Sequence, residues 1–294
     1  MVEAYVVSAF SKHGKGGNNA GVVFDYTNLT TLQKRWIASR LGYAETVFVS
    51  NSAIADYRLQ YFTPTSEVSL CGHATIATFV LLKLLNIQES NNYLISSKQK
   101  VDYTIETKSG ILKISIKNNL IFMQQNSPTF LDILSPSLFT NCINSEFIDK
   151  SLPIQIVSTG LKDIILPIDS MQNLTNLQPN FKNIISLSQQ KDVVGIHAFV
   201  LNKNKDNIAT CRNFAPLYGI DEESATGTAS CALACYLFKY FSKQPQYVFE
   251  QGYSLGQVSQ IIVNLTYQDD IIDAVYVGGS GYLVCKKSLS VPNI

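Results

Sequence analysis

The feature that most constrains this chain is a pair of stretches, Ala74 to Leu85 and Thr228 to Phe241, that are apolar on every face of a helix rather than along one stripe. A helix with an apolar circumference has to be enclosed. Lys83 interrupts the first stretch, and Gly227 and Lys239 interrupt the run around the second, so both fall short of the ~20 apolar residues a membrane span requires. They are therefore expected as helices buried in protein. Each opens at a turn of small residues, Cys71-Gly72-His73 in one case and Thr226-Gly227-Thr228 in the other. Around both lie short β-rich runs, which makes the layout a duplication: two units, each a helix threaded through a curved sheet.

In the first half the strand runs are Ala4 to Phe10, Gly21 to Phe24, Glu45 to Ser50, Tyr57 to Phe62, Tyr103 to Thr107 and Ile111 to Ile116, with an amphipathic helix over Thr30 to Leu41 capped by threonine. In the second half they are Leu120 to Gln124, Ile154 to Ser158, Asp163 to Pro167, His197 to Leu201, Tyr247 to Glu250, Val258 to Thr266 and Ala274 to Val277. The polar stretch Lys117 to Asn119 divides them, giving expected domains of 1–118 and 119–294, with the last strand free to return to the first domain. Such an α+β pair of pseudo-symmetric domains would leave a cleft, where small-molecule sites usually lie.

Composition narrows the partner. With 23 basic and 22 acidic residues spread along the chain the net charge is +1, so no field attracts a polyanion and nucleic acid is not expected. The cluster Lys12, His13 and Lys15 sits among glycines and reads as a solvated loop. Six cysteines form no CxxC pair and no metal-ligand or disulfide spacing, so they read as reduced thiols of a cytoplasmic protein without a metal site. Two helix N-termini facing one cleft would offer unpaired N–H groups and a positive dipole end to a small carboxylate. On that reading Gly72, Gly227 and Thr228 are binding positions.

The stretch Tyr61-Phe62-Thr63-Pro64, followed by Glu67-Val68-Ser69-Leu70-Cys71-Gly72-His73-Ala74-Thr75, resembles the signature of the PhzF-like family of phenazine biosynthesis. Further pieces follow in that family's order: Gly17-Asn18-Asn19-Ala20-Gly21, Glu45-Thr46-Val47-Phe48, Ser158-Thr159-Gly160, Arg212-Asn213-Phe214-Ala215-Pro216, Ala225-Thr226-Gly227-Thr228, Glu250-Gln251-Gly252 and Val277-Gly278-Gly279. The resemblance implies a diaminopimelate epimerase-like fold, each domain a β-barrel-like sheet wrapped round its central helix. It also implies a homodimer and proton transfer at carbon of a small carboxylate substrate, without metal, flavin or pyridoxal phosphate.

Carried over by motif, Glu45 takes the place of the family's proton-moving glutamate, and His73 and Glu223 are its expected catalytic companions. Asn18, Gly72, Gly227 and Thr228 are the expected substrate-binding residues. The chain departs from the family where E-D-P-x-T-G-S becomes Glu222-Glu223-Ser224-Ala225-Thr226-Gly227-Thr228, where Asn19 replaces proline, and where Gln257 replaces arginine. These changes leave the substrate open. Two rival readings are a two-base amino-acid epimerase and a non-catalytic metabolite-binding protein. Epimerases of the first kind carry a cysteine at each helix start. Here Cys71 matches the first but Thr226 occupies the second, and a hydroxyl is far too weak an acid to stand in for a thiol. Cys71 is then expected to be a packing residue.

Overall fold

The computed structural model describes residues 1–85, 101–202 and 207–292, and divides the chain into two units, Met1–Gln124 with Gly278–Ile294, and Gln125–Val277. The first unit contains β1 (Val2–Ser11), β2 (Asn18–Phe24), α1 (Thr31–Leu41), β3 (Thr46–Ser50), β4 (Tyr57–Phe62), β5 (Glu67–Val68), α2 (Gly72–Leu85), β6 (Val101–Thr107), β7 (Gly110–Lys117) and β8 (Leu120–Gln125). The second contains β9 (Thr129–Leu134), β10 (Ile154–Ser158), β11 (Lys162–Pro167), α3 (Met171–Asn176), α4 (Phe181–Lys191), β12 (Ile196–Leu201), β13 (Ala209–Ala215), β14 (Ile220–Glu223), α5 (Gly227–Tyr240), β15 (Gln246–Gln251) and β16 (Ser259–Gln268). The long last strand, β17 (Ile271–Leu289), begins in the second unit and ends in the first.

In the first unit the hydrogen-bonded neighbours run β17, β1, β2, β3, β4, β6, β7, β8 and back to β17, which closes the sheet into a barrel. Closure leaves an interior that α2 fills: every residue from His73 to Leu82 is buried, and the hydroxyls of Thr75 and Thr78 are satisfied within the helix by the carbonyls of Cys71 and Ala74. The enclosed circumference expected from the sequence is therefore present. Outside the barrel, Ile37, Ala38 and Leu41 of α1 pack on Ala4, Val23, Phe48 and Phe62. Thr30 and Gln33 form a reciprocal capping box at its start, and Gly42 ends it in the left-handed conformation that glycine adopts without a Cβ penalty.

The second unit repeats the order of the first. In one, β1–β2 is antiparallel, β2–β3 parallel, β3–β4 antiparallel, β4–β5 a short antiparallel pair, β4–β6 parallel and β6–β7 antiparallel. In the other, β10–β11, β11–β12, β12–β13, β13–β14, β13–β15 and β15–β16 follow the same sequence of directions. The duplication is thus a repeat of topology, with α5 in the place of α2. From Gly227 to Phe238 all of α5 except Thr228 is buried, packed on β10, β11 and β16. The other face of this sheet, through Ile156, Ile164, Leu166, Ile196, Ala198 and Phe214, is covered by Leu174 of α3 and Ile184 and Leu187 of α4.

Several elements are not legible in the sequence: β5, β9, β13, β14, α3 and α4. The division between units falls after Gln124 rather than at 118/119, because β8 pairs with β7 inside the first barrel. The closing strand β17 runs straight through Gly278, Gly279 and Gly281. Glycine is required there by contact: a Cβ on Gly278 would lie 2.2 Å from the carbonyl oxygen of Ile121. Among the described residues no helix is long and apolar enough to cross a membrane.

Candidate active site

Four side chains of the first unit converge where the barrel meets the start of α2. Glu45 stands immediately before β3, held by its carbonyl, which accepts from the backbone N–H of Gly21 at 3.1 Å. Asn18 is the first residue of β2, and His73 the second of α2. Cys71 precedes α2, and its carbonyl accepts from both the N–H and the hydroxyl of Thr75, at 3.0 and 2.8 Å. The Thr75 hydroxyl in turn meets the buried phenol of Tyr61 at 2.7 Å. These bonds fix the turn that aims Cys71 and His73.

Within the cluster, His73 Nε2 lies 3.4 Å from Glu45 Oε2, and His73 Nδ1 lies 3.5 Å from the side-chain nitrogen of Asn18. The thiol of Cys71 lies 3.5 Å from Nδ1 and 3.9 Å from Nε2 of the same ring. His73 and Cys71 are each 7% exposed, and the Glu45 side chain 17%. Glu45 Oε2 is enclosed without a hydrogen-bond partner. Burial pushes the Glu45 carboxyl above its ordinary value, and a hydrogen bond from Cys71 pulls it partly back. A carboxyl raised in this way accepts a proton more readily than an exposed glutamate does.

The sequence-based set is thus brought together in part: Asn18, Glu45 and His73 form one cluster, with Gly72 opening α2 between Cys71 and His73. Cys71, expected as packing, belongs to the cluster as well. Its signal was present in the sequence as a thiol two residues from the histidine.

Glu223, Gly227 and Thr228 lie in the second unit. There the Thr226 hydroxyl donates to Glu223 Oε2 at 2.5 Å, so Thr226 precedes α5 without capping it through its side chain. Gln251, fully buried, donates to the Glu223 carbonyl at 2.7 Å and to the Thr226 hydroxyl at 3.1 Å, and accepts from the Thr226 N–H at 3.3 Å. The Thr228 carbonyl accepts from the Thr159 hydroxyl at 3.3 Å. By the repeat of topology, Gly195 before β12 stands where Glu45 stands before β3. A Cβ there would lie 1.9 Å from the carbonyl oxygen of Phe214, so the second unit has no room for a counterpart of the glutamate.

A further acid was not anticipated. Asp163 on β11 is 1% exposed, and neither carboxyl oxygen has a hydrogen-bond partner. Burial, with a contribution from the Glu223 charge, pushes it up to about 8. His197, fully buried and paired through Nδ1 with Asn213 Oδ1 at 3.0 Å, is held down at about 4 by burial. His13 is exposed on the turn between Lys12 and Lys15.

Comparison with known proteins adds the following. The family described as phenazine biosynthesis-like protein, PhzC-PhzF, matches residues 7–287. The uncharacterized isomerase YddE of Escherichia coli (strain K12) is 30% identical over 96% of each chain. The crystal structure of the Bacillus anthracis phenazine biosynthesis protein of the PhzF family shares 29% identity and superposes with a TM-score of 0.88 over 99% of both chains. A hydroxyproline epimerase from Agrobacterium vitis, with trans-4-hydroxy-L-proline bound, is 11% identical, with a TM-score of 0.62 over 97% of this chain and 91% of that one. That likeness is one of fold.

Proposed function

The chain belongs to the phenazine biosynthesis-like (PhzC-PhzF) family and is an isomerase, and on that premise we propose that it moves a proton at carbon of a small carboxylate metabolite, using Glu45 and no cofactor. One observation carries this reading: a glutamate oxygen enclosed without a hydrogen bond, 3.4 Å from a histidine that is itself held at the start of an enclosed helix. Enclosing a carboxylate oxygen costs free energy, and the upward shift of the Glu45 carboxyl that results makes it a stronger proton acceptor than an exposed glutamate.

The other residues have subsidiary parts. His73 orients the Glu45 carboxyl and the substrate through Nε2, while Asn18 at Nδ1 fixes the ring. The first turn of α2, beginning at Gly72, supplies N–H groups and a dipole end for the substrate carboxylate. From the second unit we assign Glu223 as a second acid–base group and Gly227 with Thr228 as binding groups. The substitution of Glu223 and Thr228 for the family's aspartate and serine adds a methylene and a methyl, and so selects a substrate of different shape from the phenazine precursor.

The test is a screen of small cyclic and amino acids for binding, followed by incubation of each bound acid in D₂O. Incorporation of one deuterium at a carbon next to a carboxyl or in a conjugated ring is the expected result. Binding of several acids with no incorporation into any of them would instead mark a metabolite-binding protein.

A further inference from the structure

Glu45, Cys71 and His73 present one carboxylate oxygen, one sulfur and one ring nitrogen that all lie within 4.8 Å of one another. We propose that these three side chains form a binding site for a thiophilic divalent cation, zinc in the first place, whose occupancy takes Glu45 out of proton transfer. The site would be inhibitory, since the ligand set includes the group assigned to the chemistry.

The distances carry the argument. Zinc bonds of about 2.3 Å to sulfur and about 2.0–2.1 Å to nitrogen or oxygen, set at the tetrahedral angle, separate sulfur from nitrogen by about 3.6 Å and nitrogen from oxygen by about 3.3 Å. His73 Nε2 lies 3.9 Å from Cys71 Sγ and 3.4 Å from Glu45 Oε2. Two of the three edges are therefore within a few tenths of an ångström of a coordinated arrangement before any side chain moves, and the third, from sulfur to carboxylate oxygen, is within 4.8 Å. Three protein ligands leave the fourth tetrahedral position for water or a ligand carboxylate, the pattern of an open rather than a sealed zinc site.

Charge and second-shell geometry agree with the distances. A thiolate and a carboxylate together neutralise a dication, so the filled site places no net charge among groups that are 7% to 17% exposed. Nε2 faces the carboxylate while Nδ1 is 3.5 Å from the Asn18 side-chain amide. Turned with its oxygen toward the ring, that amide accepts from Nδ1–H and leaves the Nε2 lone pair for the metal. The Cys71 backbone is already pinned by Thr75, so little ordering is needed on binding. The sulfur also sets the selectivity: magnesium and calcium, which take oxygen ligands, have one oxygen here.

Competition against a chromophoric chelator, at neutral pH with reduced protein, measures this without any substrate. The expected result is one Zn²⁺ per chain bound at micromolar concentration or tighter, no binding of Mg²⁺, and a thiolate-to-metal charge-transfer band when Co²⁺ replaces Zn²⁺. Cys71→Ser and, separately, the nearly isosteric Glu45→Gln should each weaken zinc by about 10–100-fold or more, the scale on which even outer-shell changes act. Cys285→Ser, at the one partly exposed thiol, should leave it unchanged. Thermal melts identify any variant that does not fold, and the second variant then decides. Absence of binding at about 100 μM Zn²⁺, or equal binding by wild type, Cys71→Ser and Glu45→Gln, overturns the proposal. Since the readout is metal occupancy, it stands or falls apart from the isomerase assay.

Discussion

Substituting Asp163 by asparagine isolates the energetic consequence of a buried acid that has no hydrogen-bond partner. In the unfolded chain this carboxyl titrates near 3.9, the ordinary aspartate value, whereas burial raises it to about 8 in the folded protein. The folded state then binds the proton more tightly. Its contribution to stability is full below the unfolded value and is lost as pH rises toward and through the folded one. Each pH unit in that window is worth about 1.4 kcal/mol, so from about pH 5 to about pH 8 wild type should lose on the order of 3–4 kcal/mol through this group alone.

Asparagine cannot titrate, and every other shifted group, His197 among them, is common to both proteins. The difference between the two stability curves therefore reports Asp163. Urea unfolding followed by circular dichroism, at constant ionic strength across that range, supplies the measurement. Asp163→Asn should gain on wild type steadily with pH, by roughly 3–4 kcal/mol in total. Curves that stay parallel would refute the reasoning, because they would mean that Asp163 is ionised and solvated in the folded protein.

Two further substitutions test the fold. Gly195→Ala places a Cβ 1.9 Å from the Phe214 carbonyl oxygen, an overlap with backbone that no side-chain motion relieves. A loss of about 1–3 kcal/mol or more is expected, read as a lowered melting temperature; an unchanged one would contradict the close approach of β12 and β13. Thr30→Ala removes the hydroxyl that accepts from the Gln33 N–H in the capping box of α1, leaving the bond from the residue-30 N–H to Gln33 Oε1, and should cost about 1 kcal/mol, again by thermal or urea unfolding, with the variant Thr30→Ser restoring most of it.

What could be read in the sequence was what has a period or a composition. Ala74 to Leu85 and Thr228 to Phe241 could be placed because an apolar circumference has one physical solution, enclosure; the structure encloses the first through Leu82 and the second from Ala229 through Phe238, while Leu84, Leu85 and Phe241 at their ends are exposed. Strands with alternating or continuous apolar runs, such as Tyr57 to Phe62 and Ile154 to Ser158, were placed for the same reason. The strand Ala209–Ala215 was missed because Arg212 and Asn213 interrupt its apolar run, although all seven residues are buried. Arg212 is tolerated there through a two-point pairing with Glu222, at 2.9 and 2.8 Å, and bonds to the carbonyls of Leu174 and Leu177, none of which is local in sequence.

The site was legible in the same uneven way. Motif points to Glu45 and His73, whereas the absence of a second thiol at Thr226 argues in the sequence against a role for Cys71. What brings it into the cluster is the Thr75 and Tyr61 bonding that fixes the turn before α2, and this depends on β4 standing beside the helix start. Asp163 had no signal at all. An aspartate among apolar residues reads as one polar position of a strand, and only the covering of that face by α5 makes it a buried acid.

The central claim is that Glu45 moves the proton, and the comparison of wild type with Glu45→Gln in D₂O tests it most directly. The amide is nearly isosteric, so folding and ligand affinity should stay within a few-fold while deuterium incorporation into the bound acid falls by about 10²–10⁴, the usual contribution of a general acid–base group. Thr226→Ala, run beside it, should change the rate far less. Incorporation by Glu45→Gln at the wild-type rate would contradict the account and move the proton transfer to Glu223 or His73.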